Sequence, residues 1–331
     1  MKSDPSISVL MTVFNAGPYL DAAIGSIANQ VFRDWEFIIV DDASTDGSAE
    51  VAEEWSRKDS RIVVIRNNQN KGQTPCLNQG LRAARGTWIA RQDADDLSHP
   101  LRLTRQYERL LLDPEIVLLG TAGRIIDENN QLCGLLDVPV SAGVISRVAT
   151  FLNPFLHTAV MFRREVVLTE FGGYDERFRI AQDYDLWMRL LQQRRTANIP
   201  ARLVCYRHLQ SSLSKAGRGR AFAEASEIAD RALAAWPGRE TLSAPMRLAL
   251  QAFREGRMSP ADRALFWQAF QVLARNLAPE ERREWRRYES LLHLRAAGGL
   301  SGHPSLVVSE MMTACAKSPW AAFGWMRERW L

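Results

Sequence analysis

The 331-residue chain has no glycine-rich phosphate loop, no apolar run long enough for a membrane and no cluster of cysteines. A helix spanning a bilayer needs about twenty apolar residues, and no run of about eighteen occurs, so an integral membrane protein is excluded. The four cysteines, Cys76, Cys133, Cys205 and Cys315, stand far apart without metal-type spacing. That usage argues against a structural zinc and for a reducing compartment. Charge of one sign is also scarce: the formal balance is +4, too small to suggest a nucleic-acid partner. Met1-Lys2-Ser3-Asp4-Pro5 shows no signal-peptide pattern before the first strand, so the expected location is cytoplasmic. With 46% hydrophobic and 24% charged residues, the chain reads as a globular protein of one large domain or two modest ones.

The first hundred residues alternate two patterns. Ile7 to Val13, Glu36 to Val40, Arg61 to Arg66 and Trp88 to Arg91 are short, mostly apolar runs, which suit strands covered on both faces. Between them, Tyr19 to Gln30 and Thr74 to Ala84 read as helices, and Ser44 to Ser48 supply turn and cap residues for a further helix through Trp55. This β-α-β-α order predicts a parallel sheet flanked by helices, with ligands beyond the carboxyl ends of its strands. Farther on, strands are expected near Ile116 to Gly120, Thr158 to Arg163 and Arg202 to Arg207, and a helix from Asp183 to Gln193. After Lys215 the chain turns helical and rich in arginine and alanine. The expected domains are therefore 1–215, α/β, and 216–331, an all-helical extension with helices at 221–236, 242–255, 260–276, 279–295 and 306–314.

Three carboxylates crowd the end of the fourth strand in Asp93-Ala94-Asp95-Asp96. Like charges that close require a cation among them. Hard oxygen ligands suit Mg2+ or Mn2+, which bridge a carboxylate to a substrate's phosphates. An acidic turn capping the helix near Pro100 is the other reading. The turn after the first strand, Thr12-Val13-Phe14-Asn15-Ala16-Gly17-Pro18, offers no glycine nest to a pyrophosphate. A nucleotide diphosphate there would need a metal. Phe14 offers a surface for a base or belongs to the core; Asp41 accepts from a base or ribose, or caps a turn with Asp42.

The runs SVLMTVFNAGPYLDAAIGSIANQ, WEFIIVDDASTDGS and NKGQTPCLNQGLRAARGTWIARQDADD, followed by HTAVMFRR, FGGYDERFRIAQDYDLWMRL and YRHLQSSLS, occur in this order over residues 5 to 215. Together they resemble the inverting glycosyltransferases of family 2. The resemblance implies the GT-A fold, Rossmann-like with a mostly parallel central sheet, and a nucleotide-diphospho sugar as donor, a UDP-sugar by family habit. It implies that Thr12, Phe14 and Asn15 line the nucleotide site, Asp41 reads the base, Lys71 lies near base or phosphates and Asp93 contacts the ribose. Asp95, in the DXD motif, would hold Mn2+ or Mg2+ with His208, while Asp96 would orient the site or the acceptor. Asp183 would be the base that deprotonates the acceptor hydroxyl; the family's Glu-Asp pair is here Gln182-Asp183. His157 and Arg163 or Arg164 would line the donor-sugar or acceptor pocket, and Trp187 serves either as a wall for a sugar ring or as core. The implied setting is bacterial surface-glycan synthesis, with a glycan or lipid-linked glycan acceptor. Aromatics mixed with arginines at 319–331 suggest a peripheral contact at the inner membrane face. Two other functions compete: metal-dependent nucleotidyl transfer, which would want a glycine- and lysine-rich first loop, and a non-catalytic glycan- or nucleotide-binding protein, against which Asp93, Asp95 and Asp183 argue.

Overall fold

A computed structural model describes residues 4–209, 217–254 and 258–299 of the chain. Contacts divide it into two compact units, one of residues 1–138 and 155–228, the other of 139–154 and 229–331.

The first unit is built on a mixed sheet of nine strands. Strands β1 (Ile7–Val13), β2 (Trp35–Asp41), β3 (Ile62–Arg66) and β4 (Trp88–Arg91) run parallel in the order β3-β2-β1-β4. Nearly every side chain of β1, β2 and β4 is buried, as their unbroken apolar runs require. Helix α1 (Leu20–Ala28) buries Leu20, Ala23, Ile24 and Ile27, one face at helical spacing. Helices α2 (Ser48–Lys58) and α3 (Gln73–Ala83) complete the crossovers. Gly86 lets the turn into β4 pass against β1, for a Cβ there would lie 2.5 Å from the Ser8 nitrogen.

The chain leaves β1 toward β2 and β3, then returns through α3 to β4 on the other side of β1. The carboxyl ends of β1 and β4 therefore flank a topological switch point, where open α/β sheets bind ligands. Beyond β4 the sheet continues through β5 (Leu97–Ser98), β6 (Ile116–Ile126), β7 (Leu132–Leu136), β8 (Met161–Arg163) and β9 (Arg195–Arg207). Strand β8 is antiparallel to both β4 and β6, while β9 is parallel to β6 and antiparallel to β5. The strand expected at 158–163 begins only at Met161, because His157–Ala159 forms a 3-10 turn. The strand expected from Arg202 starts instead at Arg195, with its register broken where Thr121 faces Ile199 and Ala122 faces Arg202. Pro200 thus lies in a bulge, a place where the missing N–H costs no ladder bond. Helices α4 (Arg102–Leu112), α6 (Arg164–Thr169) and α7 (Gln182–Gln193) pack on this half, and α5 (Ala142–Val148) belongs to the second unit.

That second unit gathers α5, α9 (Ala244–Arg254), α10 (Pro260–Leu273) and α11 (Pro279–Gly299), together with the later turns of α8 (Arg218–Ala235). Its core is aromatic: Phe270 stacks on Trp285 at 4.1 Å, and Phe151 meets both edge-on. The expected helix at 306–314 and the segment 319–331 lie outside the described residues. No helix among the described residues is long and apolar enough to cross a membrane.

Candidate active site

The loop after β1 is held by the loop after β2. Asn15 adopts a left-handed backbone (φ 49°), which asparagine tolerates better than most residues. Its N–H donates to Ser44 Oγ at 3.1 Å, and its Oδ1 accepts from the Thr45 N–H at 2.8 Å. The Ala16 and Gly17 amides donate to Ser48 Oγ and Asp46 Oδ2. Three successive amides are thereby spent on the protein itself, leaving no nest for a pyrophosphate. Phe14 is 52% exposed, so its ring is a surface of the cleft and not core.

Asp41, at the end of β2, is fully buried. Its Oδ2 accepts from the Ser44 N–H at 3.3 Å, and its Oδ1 has no partner among the described residues. A buried acceptor left open is costly and favours a ligand with an N–H or O–H to offer. Asp42 works inward: it accepts from Asn67 Nδ2 at 3.0 Å and from the Lys71 and Gly72 N–H groups at 2.9 and 2.8 Å. This bends the loop that carries Lys71, whose Nζ donates to Asn67 Oδ1 at 3.1 Å.

Two guanidinium groups stand among the acids at the end of β4. Arg91 is fully buried and donates from Nη2 to Asp93 Oδ1 at 2.6 Å, and also toward Thr12 Oγ1 at 3.4 Å. Arg207, at the end of β9, donates from its backbone N–H to Asp96 Oδ1 at 2.6 Å and from Nε to the Asp95 carbonyl at 2.8 Å. It also lies 4.5 Å over the Tyr19 ring. Asp96 is wholly buried, and burial first, then Asp93 and Asp95, pushes its carboxyl well above the usual range. The Asp95 carboxyl is raised to about 6, chiefly by burial and then by Asp93. Among the described residues, no other residue donates a hydrogen bond to that carboxylate. Partners thus sort the three acids: Asp93 to Arg91, Asp96 to Arg207, and Asp95 open. His208 follows Arg207 and is exposed, with its N–H on the Ile126 carbonyl at 2.8 Å.

Arg102 holds this loop from beneath. Fully buried, it donates to Gln106 Oε1, Gln92 Oε1, Ser98 Oγ, and the Arg91 and Val160 carbonyls, all within 3.1 Å. No carboxylate is among these partners; burial first, then the charge of Arg91, lowers the Arg102 guanidinium to about 9. Sequence reasoning missed Arg91, Arg102 and Arg207 as site residues. The available signal was an arginine ending each of two strands near the acids.

Asp183 is the second residue of α7 and is half-buried. Its neighbour Gln182 is buried, with Nε2 donating to Gln73 Oε1 at 3.0 Å. Asp185 pairs with Arg189 at 2.9 Å, and Arg189 also bonds the Phe171 and Gly173 carbonyls, which fixes the helix against the preceding loop. Trp187 is fully buried among Phe155, His157, Phe162 and Tyr174, so it is core and not a sugar-facing wall. His157 Nε2 lies 3.4 Å from the Tyr174 hydroxyl; burial and then the Arg91 charge lower its imidazole to about 3, so it stays neutral. The Tyr174 phenol is raised mainly by burial, opposed by Arg91 and aided by Asp183 and Asp93. Arg163 stands away from these groups, over Trp88 at 4.6 Å with its Nη2 on the Pro114 carbonyl; Arg164 donates toward the Leu81 carbonyl.

Among the described residues, no three His, Cys, Asp or Glu side chains form a metal cage. The donor set that does exist, one open carboxylate in an acidic loop, fits a cation that completes its shell with substrate oxygens and water.

Residues 8–167 match the family model described as glycosyl transferase family 2. The chain is 35% identical over 191 residues to the O-antigen biosynthesis glycosyltransferase WbnJ of Escherichia coli, covering 56% of this chain and 72% of WbnJ. Among solved structures, it superposes on S. aureus TarS 1-349 in complex with UDP-GlcNAc with a TM-score of 0.60 at 16% identity, covering 97% of this chain and 92% of that one. The mannosyltransferase PcManGT from Pyrobaculum calidifontis, in complex with GDP-Man and Mn2+, gives 0.58 at 19% identity, covering 96% and 88%. At such identities the likeness concerns the fold, and the fold is GT-A.

Proposed function

This chain belongs to glycosyltransferase family 2, and on that footing we propose that it transfers a sugar, with inversion, from a UDP-sugar to an acceptor hydroxyl during surface-glycan assembly. The observation that carries the reading is the sorting of the acids. Of the three acids after β4, Asp95 is the one whose carboxylate accepts from no other described residue, and the first loop's amides are already spent. A diphosphate in this cleft meets no backbone nest, so its charge calls for Mn2+ or Mg2+, held by Asp95 with His208 as second ligand. When bound, that ion would neutralise the departing diphosphate.

The chain's own residues do the rest. Phe14 stacks on the base, and the open Asp41 Oδ1 accepts from its N–H. Thr12 and the loop tied down by Asn15 line the nucleotide site, and Lys71 stands near the base or phosphates. Asp93, turned by Arg91, meets the ribose. Asp183 takes the acceptor proton as the acceptor oxygen bonds the anomeric carbon and the bond to the diphosphate breaks. Every one of these residues lies within 1–215, which we take as the catalytic domain, with 216–331 as its helical extension. The relative WbnJ, an O-antigen biosynthesis glycosyltransferase, supports the surface-glycan setting; we take the acceptor to be a glycan or lipid-linked glycan, met at the cytoplasmic face of the membrane.

A thermal-shift screen of nucleotide sugars with and without Mn2+ tests the donor and metal together, since a ligand that binds the native state raises its melting temperature. Asp183→Asn is expected to abolish transfer and leave UDP and Mn2+ binding intact. Retained turnover would dismiss Asp183 as the base.

A further inference from the structure

Helix α7 begins without a cap of its own. Its N-cap residue is Ala181, which has no side-chain acceptor. The chain just before its first turn is held instead by α8, more than forty residues later. The Glu224 carboxylate accepts from three successive backbone amides: Arg179 at 3.1 Å, Ile180 at 2.9 Å and Ala181 at 2.9 Å. Glu224 is only 7% exposed, and Arg220, one turn earlier on α8, donates from Nε to its Oε1 at 2.7 Å. Burial alone would raise this carboxyl, but its bonds to Arg220 and the three amides outweigh burial and hold it below the usual range.

The same turn is held from its other side. Thr74 Oγ1, on α3, donates to the Phe178 carbonyl at 2.7 Å. Gln73, its neighbour, accepts from Gln182 at 3.0 Å. Residues 178 to 182 are thus clamped by polar groups from α3 and α8, and Asp183 is the next residue in the chain. Base catalysis depends on sub-ångström placement of the carboxylate, and a shift of about 1 Å can cost about a hundredfold in rate.

We propose that Glu224 is a positioning residue for transfer: it sets the start of α7 and thereby aims Asp183, without touching substrate. This rests on the reading of Asp183 as the base. It also makes α8, which lies past the stretch of family motifs, part of the working active site.

The test uses the full chain with Glu224→Gln, which keeps the size but offers one neutral acceptor, and Glu224→Ala, which removes it. Turnover is read as UDP release from the donor chosen by thermal shift, binding by titration with UDP and Mn2+, and local order by hydrogen exchange of peptides spanning 178–186 and 88–98. Turnover should fall about tenfold or more, further in Ala than in Gln. UDP binding should be unchanged, with exchange faster at 178–186 and unaltered at 88–98. Wild-type turnover in both variants, with Asp183→Asn inactive, overturns the proposal. Parallel loss of UDP binding and turnover also overturns it, because that pattern marks general damage to the fold. An active Asp183→Asn would instead remove the base reading, and this inference with it. Should Glu224→Ala not fold, Glu224→Gln alone decides the matter by the same readings.

Discussion

Replacing Asp42 by asparagine probes how the loop carrying Lys71 is built. One Asp42 oxygen accepts from Asn67 Nδ2 at 3.0 Å and from the Lys71 N–H at 2.9 Å; the other accepts from the Gly72 N–H at 2.8 Å and shares the Lys71 N–H at 3.1 Å. An asparagine keeps one acceptor and turns an NH2 toward a donor. In the cheaper orientation its amide oxygen keeps Asn67 and Lys71, and its nitrogen faces Gly72. That forfeits one bond to a charged group, worth about 1.5–3 kcal/mol, and weakens the remaining two to neutral bonds. With the site buried and closed to water, the expected loss is about 3 kcal/mol. For a unit of this size it corresponds to a fall in Tm of roughly 6–12 °C. Scanning calorimetry reads the shift in the transition of the unit that holds the sheet. Gly72, at φ +92° in the same loop, cannot be held in place by a side chain of its own, so UDP titration should also show weaker binding. A shift below about 2 °C would refute the claim that Asp42 shapes this loop, since ordinary surface substitutions stay within about ±0.5 kcal/mol.

Asp95→Ala should weaken the metal-dependent part of UDP binding in calorimetric titration; an unaltered titration removes Asp95 from the metal site. Burial alone would raise the Glu36 carboxyl, but bonds from Ser8 Oγ, the Arg85 N–H and the Arg85 guanidinium bring it below the usual carboxylate range. A depressed folded value contributes stability above the ordinary value and loses it as pH falls through the folded one. In urea unfolding, the difference between the protein and Glu36→Gln should therefore be constant above about pH 5 and shrink below about 4.5; a difference independent of pH would contradict it. Deleting residues 319–331 should abolish co-sedimentation with anionic liposomes, and unchanged binding would sink the idea of a membrane contact there.

The parallel half of the sheet was legible because its strands are buried on both faces, so apolar runs alone marked them. Strands β1 and β4 begin and end where those runs do. Only the second half of β9, from Arg202, was legible; its first half lies before Pro200, which the structure absorbs in a bulge. Strand β7 escaped because Leu132 and Leu135 are exposed, so it has no buried alternation to detect. In the site, the spacing of the acids and Asp183 was readable from strand ends and motif order. The partners of the acids were not. Arg91 looked like the last residue of a strand, and only the fold shows its guanidinium turning back onto Asp93. Glu224 gave no sign at all, since its amides lie some forty residues upstream and a glutamate in a helix is ordinary.

Three adjacent carboxylates needed a cation, and the sequence pointed to a metal. The structure supplies one of its own first, the Arg91 guanidinium on Asp93, while Asp96, held well above the usual range by burial, takes the Arg207 backbone N–H. Among the three acids, Asp95 is the one whose carboxylate accepts from no other described residue. Protein ligands then supply too few donors to hold a hard divalent ion alone, and among the described residues no three-ligand cage exists. Under the proposed function, the missing ligands are the diphosphate oxygens of the donor. Metal and nucleotide should then raise each other's affinity by the same factor, as linkage requires. With Asp93 on the Arg91 guanidinium and Asp96 on the Arg207 backbone N–H, retention of the metal would be conditional on the donor, and departure of the diphosphate would be free to carry the ion away.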